Sequence, residues 1–254
     1  ADASTLDASP SDSRASGPDA DNGPSNVDAR GSTDVTKVTD ALGVDGAPGD
    51  GPMLAGCPLL PANHVFNTRI DALPVHPSSA DFVTALGARN IHLDLGTTTD
   101  LASDEYYGIP FNVVRSRTMT WTAVAYRSAD PEMTWDPRAE SDCVVGTAGS
   151  YTRVSPCTEE AAPSPVLPIP SVPLIEGGII GDPQQPYGDH HILLLDADEC
   201  HLWETYHSYR TASGFDIFGS AFFDLRSNAL RPAGWTSADA AGFPILPLLL
   251  RAEE

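Results

Sequence analysis

The stretch GDHHILLLDADECHLWETYHSYR, residues 188–210, sets the first expectation about the fold of this chain. Two runs of apolar and β-forming residues, HILLLD and CHLWETY, lie on either side of the acidic segment DADE. Asp196 and Asp198 in that segment are residues that favour turns. The stretch therefore predicts a β-hairpin that contributes two strands to the core of the protein.

We predict a hairpin register in which Leu195 faces Cys200, so that His191 lies opposite Glu204 at the edge of an apolar patch. Cross-strand partners lie about 5 Å apart on one face of a sheet. A carboxylate held against an imidazole in such a place suits a general base or a metal ligand. It equally suits a partly buried ion pair with a structural role, and both interpretations stay open.

The opposite face of the hairpin carries Trp203 beside His201. An exposed Trp203 would be a sugar-stacking platform, whereas a buried Trp203 would belong to the core. A register shift of one residue would turn every side chain to the other face. His201 and Trp203 would then be the inward pair.

Residues 1–56 differ in composition from the rest of the chain. They are mostly Ala, Asp, Ser, Gly and Pro, and they contain no aromatic residue. Such a segment cannot bury enough apolar surface to offset the entropy lost on ordering. We expect a disordered acidic tether at 1–56 and a single β-rich domain at 57–254.

The chain is strongly acidic. Ten Asp and three basic residues give the tether a charge of −7, which leaves −14 of the total −21 for the domain. A nucleic-acid partner is not expected, because phosphate binding needs clustered Lys and Arg. Metal cations and neutral polymers fit this charge better.

The sequence starts at Ala1 without Met, as processed chains do. An acidic tether ahead of a folded domain is typical of an exported protein, and we expect an extracellular or outer-surface location. A lipidated Cys before Ala1 would make the protein a surface lipoprotein, and a cloned linker is the alternative. No apolar stretch approaches the ~20 residues that span a bilayer, so membrane contact is expected only through such an anchor.

Four cysteines without a C-x-x-C spacing allow three disulfide pairings. Cys143 and Cys157 flank a segment that contains Gly and Ser and suits a hairpin or loop, which favours their pairing. Cys57 would then join Cys200 and fasten the start of the domain to the hairpin. Disulfides predict an oxidising compartment, and four buried thiols are the alternative.

Pro and Gly interrupt the domain every few residues. Residues 78–90 predict a helix, and residues 120–128 alternate with the period of a strand. Residues 163–187 contain so many prolines that we expect an extended surface segment there. Together these features predict an antiparallel β-sandwich or irregular barrel with one or two short helices.

The sequence has no G-x-S-x-G, H-E-x-x-H, Walker or G-x-G-x-x-G motif. Asp224 joins Glu204 and His191 as a third candidate catalytic residue. A carboxylate pair for glycoside hydrolysis would come from Glu176, Asp189, Glu204 and Asp224. Catalysis stays an open question, and an enzyme would be a carbohydrate-active hydrolase or lyase.

Two segments offer ligands for a divalent cation. In GDHH the candidate metal ligands are Asp189 and His190. The DADE turn offers carboxylate oxygens for Ca²⁺, although it lacks the twelve-residue spacing of an EF-hand loop. We expect no other cofactor.

A loop near the C-terminus offers candidate ligand-binding residues. Pro232 and Gly234 favour a turn before Trp235. A rigid loop that presents Arg231, Trp235 and Asp239 would line a ligand groove, or it would only fasten the end of the sheet.

Three blocks carry a family resemblance: CPLLPANHVFNTRIDALPVHPSSADFV, EGGIIGDPQQPYGDHHILLLDADECHLWETY and FFDLRSNALRPAGWTSADAAGFPILPLLLRAEE. Through them the chain resembles a widespread family of exported bacterial proteins without an established function. The resemblance implies an extracellular, all-β or β-rich domain, often next to carbohydrate-related modules, and it assigns no catalytic residue. The family pattern has Arg in place of His190 and continues beyond Glu254, which implies that this chain lacks part of the family's fold.

Two functional hypotheses follow. The first is a surface-tethered domain that binds or processes polysaccharide, with Glu204, His191 and Asp224 as its polar centre and Trp203 or Trp235 as platforms. The second is a structural or adhesive envelope protein in which the same residues belong to the architecture.

Overall fold

A computed structural model describes residues 51–88, 108–127, 136–177 and 189–250, and the structural statements below concern these ranges. Most of the predicted tether lies outside them. Its last residues do not, because strand β1 (Met53–Leu54) pairs antiparallel with β2 (Cys57–Pro58) and Leu54 is buried. The folded domain therefore begins before the boundary predicted after residue 56.

The described residues are rich in β-structure. The single α-helix among them, α1, spans Ser79–Leu86, and two short 3₁₀ segments span Val65–Asn67 and Leu246–Leu248. The other strands are β3 (Phe111–Val114), β4 (Thr122–Tyr126), β5 (Cys143–Thr147), β6 (Ser150–Val154), β7 (Val166–Leu167), β8 (Ile192–Asp196), β9 (His201–Tyr206), β10 (Tyr209–Arg210), β11 (Phe215–Ile217) and β12 (Gly219–Asp224). The β-rich class is confirmed.

The predicted hairpin exists as β8 and β9, at the centre of a four-stranded sheet with the order β12-β9-β8-β3. Its register differs from the prediction by two residues, because Leu195 faces Leu202 and Leu193 faces Glu204. The four-residue turn lies one residue later than expected, at 197–200: the Asp196 carboxylate accepts the Asp198 N–H at 3.0 Å, and β9 begins only at His201. A two-residue shift keeps each side chain on its predicted face but changes its partner.

The four-stranded sheet lies between two apolar cores. One face contributes Ile192, Leu194 and Trp203 to a core shared with the six-stranded sheet. The other contributes Leu193 and Leu195 to a core shared with the N-terminal and C-terminal segments of the domain. All five residues of β8 are buried.

Trp203 is 1% exposed and packs on Phe222 with ring centroids 4.7 Å apart. It is therefore a core residue, and its predicted alternative role as an exposed sugar platform is wrong.

The second large sheet has the order β10-β11-β4-β7-β5-β6. In it β11 runs parallel to β4, and in the first sheet β3 runs parallel to β8, so both sheets are mixed rather than purely antiparallel. Long chain segments separate each parallel pair, as parallel pairing requires. Within the described ranges the sheets form no closed barrel.

The proline-rich segment is more deeply buried than predicted. Between Pro165 and Pro168 it supplies the two-residue strand β7, which pairs with both β4 and β5. Leu167 is fully buried, so this part of the segment does not lie on the surface. The flanking prolines lack the N–H groups that a longer ladder would need.

Helix α1 forms within the predicted range and has Asp81 in its first turn. It ends at Leu86 because Gly87 adopts a φ of 67°, and the Gly87 N–H bonds to carbonyls in the last turn. No described helix is long and apolar enough to cross a membrane.

Both predicted disulfides are present, Cys57–Cys200 and Cys143–Cys157. Their four cysteines are at most 1% exposed. Two buried disulfides indicate that the protein matures in an oxidising environment.

The two disulfides should differ in their contribution to stability. Cys57–Cys200 closes a separation of 143 residues and Cys143–Cys157 one of 14, so chain entropy assigns them about 5 and about 3 kcal/mol. We expect C57A/C200A to lower the free energy of unfolding more than C143A/C157A does, measured by urea denaturation. Equal losses would contradict the loop-closure explanation.

Candidate functional site

The site is organised around the imidazole of His191, which immediately precedes β8. Its Nδ1 lies 2.6 Å from Oε2 of Glu176, and its Nε2 donates to the carbonyl oxygen of Ala238 at 3.0 Å. The side chain is 7% exposed. A single buried ring thus connects the proline-rich segment, the start of β8 and the loop that follows β12.

Backbone contacts fix Glu176 beside this ring. The Glu176 N–H donates to the His191 carbonyl at 3.1 Å, and the His191 N–H donates to Oε2 of Glu176 at 3.4 Å. Burial alone would lower the pKa of His191, but the hydrogen bond and charge of Glu176, with the Ala238 carbonyl, raise it. The imidazole is thereby favoured as a cation between two acceptors.

Asp189 completes a group of three ionisable residues with Glu176 and His191. One ligand atom of each lies within 4.8 Å of the others. Of the predicted metal pair, Asp189 belongs to this group and His190 does not. His190 has a φ of 48° and its ring packs against Tyr209 instead, with centroids 4.8 Å apart and the ring planes tilted by 38°.

A pocket of about 820 Å³ opens beside His191. It is bounded by the ends of the central strands, by the segment before β5 and by the C-terminal loop. Its lining includes the apolar residues Ile109, Phe218, Pro244, Leu248 and Leu249. It also includes the polar residues Asp136, Glu140, Asp189, His191, Tyr206 and Asp239.

Arg231 holds the C-terminal loop in place. Its guanidinium bonds to the Asp142 carboxylate and the Glu140 carbonyl, and it donates to the Thr236 carbonyl at 2.7 Å. The Thr236 N–H in turn donates to the Glu140 carboxylate at 2.7 Å. The Arg231 side chain is 4% exposed, so it fastens the loop and does not face a groove.

The other two residues predicted in this loop have separate positions. Asp239 lines the pocket. Trp235 is half-buried and lies under the Arg231 guanidinium, 5.4 Å from it, and it is not among the pocket-lining residues. Of the predicted loop residues, Asp239 alone is placed to meet a ligand in this pocket.

Glu204 is fully buried on β9. Its carboxylate accepts the N–H groups of Ile245 and Leu246, each at 2.9 Å. Burial raises the pKa of Glu204 to about 7, although the two amides and the charge of His191 oppose that shift. The carboxylate anchors the C-terminal segment and is not among the pocket-lining residues.

The predicted catalytic trio does not assemble. Glu204 faces Leu193 across the hairpin, and Ala221 is its partner on β12. Asp224 lies three residues further along β12 at its exposed end, about 10 Å away along the strand. Its odd offset from Ala221 also places it on the opposite face of the sheet.

The DADE turn forms a network with a neighbouring loop. Asp198 accepts from Arg115 at 3.2 Å and from the Arg117 N–H at 3.1 Å, while Glu199 pairs with the Arg117 guanidinium. These carboxylates already face two cations. The geometry therefore gives less support to Ca²⁺ at this turn than to a cation near His191.

Sequence reasoning named Glu176 only as one of several carboxylates and did not connect it with His191. The Ala238 carbonyl and the acidic segment around Glu140 were missed. The sequence around Glu176 does contain an indication of its role. A carboxylate that follows an apolar Leu-Ile pair in a proline-rich stretch is expected to be partly buried. No comparable pattern marks a backbone carbonyl.

The buried Glu204 carboxyl should give stability a distinctive pH dependence. Its pKa is near 7 in the folded chain against an ordinary 4.5, so the folded state retains this proton to higher pH. The free energy of unfolding should fall by about 3 kcal/mol as pH rises from 4.5 to 7. In E204Q most of this decline should be absent, and only the part above about pH 6 that comes from the raised pKa of His191 should remain, measured by urea unfolding across that range.

E204Q keeps a carbonyl acceptor for the two backbone amides but cannot ionise. It therefore removes the effect of titration on stability and leaves the hydrogen bonds in place. The same decline in E204Q and wild type would show that other groups cause it.

Comparison of the chain with protein-family models, with curated proteins and with solved structures gives no match. The resemblance to exported bacterial proteins therefore stays a prediction.

Proposed function

We propose that this domain binds a neutral glycan, with a short segment of the sugar chain in the pocket beside His191. The observation that supports this is a pocket lining that combines apolar residues with four carboxylates. Sugar rings present C–H faces that pack on apolar surface and hydroxyl groups that donate to carboxylates. The volume of about 820 Å³ lies in the usual range for small-molecule sites.

Charge narrows the class of ligand. Four carboxylates line the pocket, and none of its described lining residues is Lys or Arg. With a net charge of −21 on the chain, an anionic polymer would be repelled. A neutral glycan meets no such barrier.

Recognition is expected inside the pocket and not on an exposed aromatic platform, because Trp203 is buried. Tyr206 is an aromatic residue of the lining that packs beside His191, with ring centroids 5.7 Å apart. Glu204 does not reach the pocket, so we propose binding without catalysis by that residue.

The setting we propose is the outer cell surface. The two disulfides support an extracellular environment, and the composition of residues 1–56 fits a tether behind an N-terminal lipid anchor. A structural or adhesive envelope protein is the second candidate. The complete burial of Glu204, with backbone amides as its partners, favours that candidate because it assigns the residue to the architecture.

Asp239→Asn should weaken glycan binding at least tenfold, because a hydrogen bond to a charged acceptor is worth roughly 1.5–3 kcal/mol. A glycan array on the full chain identifies the ligand, and titration calorimetry compares the variants. Asp224→Asn is a matched control, since Asp224 and Asp239 each accept the N–H two residues ahead. Asp224 lies outside the pocket.

Wild-type binding that D224N retains and D239N loses would support the pocket as a glycan site. No glycan binding by the folded wild type, or equal loss in both variants, would favour the adhesive candidate.

A further inference from the structure

We infer that Glu176, Asp189 and His191 bind one divalent transition-metal cation, with Zn²⁺ as the preferred ion. Two of the three residues, Asp189 and His191, line the pocket. This inference goes beyond the proposed glycan binding and does not depend on it, because it rests on the donor atoms of these three residues alone.

The three side chains supply a converging set of donors. One imidazole nitrogen and two carboxylate oxygens lie within 4.8 Å of one another, the one such group of three among the described residues. Ligands of a tetrahedral Zn²⁺ at 2.0–2.2 Å are about 3.4 Å apart. Asp189 is exposed, so a rotation of its side chain can close the remaining distance.

The orientation of His191 is an independent observation that points to a cation. A backbone carbonyl only accepts, so the contact of 3.0 Å with Ala238 requires the proton on Nε2. This hydrogen bond aims Nδ1 at Glu176. Metal-binding histidines characteristically donate their second ring N–H to a carbonyl or carboxylate in this way.

Binding of the cation requires a small, defined rearrangement. The cation replaces the proton between Nδ1 and Oε2 of Glu176 and releases it to solvent. The present separation of 2.6 Å then opens to about 3.4 Å. The backbone hydrogen bond from Glu176 to the His191 carbonyl holds the two residues together during this change.

The donor set favours Zn²⁺ over Ca²⁺. Ca²⁺ takes six to eight oxygen ligands, whereas one imidazole and two carboxylates suit a first-row transition ion. Three protein ligands also leave a coordination position open. Asp189 and His191 line the pocket, so that position is accessible to water or to a ligand hydroxyl.

Titration calorimetry of the untagged full chain with ZnCl₂ tests this inference. We expect one equivalent of Zn²⁺ to bind with a micromolar or lower Kd at pH 7, and millimolar Ca²⁺ not to compete. His191→Gln keeps a donor for the Ala238 carbonyl but removes the nitrogen ligand, so it should weaken binding at least 100-fold. Asp189→Asn should weaken it at least tenfold.

His76→Gln is the control, because His76 is exposed and lies outside the group. Circular dichroism establishes that each variant is folded. If H191Q is unfolded, Zn²⁺ binding by D189N tests the inference instead, because Asp189 is exposed. No Zn²⁺ binding by wild type, binding unchanged in D189N, equal loss in H76Q, or displacement by Ca²⁺ would each overturn the inference.

Discussion

The imidazole of His191, held between the Glu176 carboxylate and the Ala238 carbonyl, is the contact on which the arrangement of the site depends. It joins three segments that are distant in sequence. Two of the segments line the pocket through His191 and Ala238, and the third supplies Glu176. A buried imidazole is stable when both of its ring nitrogens are hydrogen-bonded. Glu176 and Ala238 supply the two partners here, so the positions of the three segments depend on one another.

The C-terminal loop is held at further points, each by a buried ionisable group. Arg231 binds Asp142 near the start of the loop, and Glu204 accepts backbone amides near its end. Glu204 projects from β9, and Asp142 immediately precedes β5. Of the three residues predicted as catalytic, Glu204 thus anchors the C-terminal segment and Asp224 lies outside the pocket, and the residues left to meet a ligand are Asp189, His191 and Asp239.

The sequence predicted the hairpin, α1 and both disulfides, because these depend on local alternation, turn residues and cysteine spacing. It misplaced the register by two residues, since Asp196 ends strand β8 and the four-residue turn therefore begins one residue later than predicted. It missed the partnership of Glu176 with His191, which arises where a proline-rich segment meets the start of β8. It also proposed Asp224 as a site residue, although a three-residue offset along β12 places that carboxylate on the opposite face.

Diffraction from crystals grown with ZnCl₂, recorded on both sides of the zinc absorption edge, tests the central role of His191 most directly. We expect one strong anomalous peak about 2.1 Å from Nδ1 of His191, with carboxylate oxygens of Glu176 and Asp189 as further ligands. Ala238 should still accept from Nε2. A peak only at other histidines, or a His191 ring turned away from Glu176, would contradict the site described above.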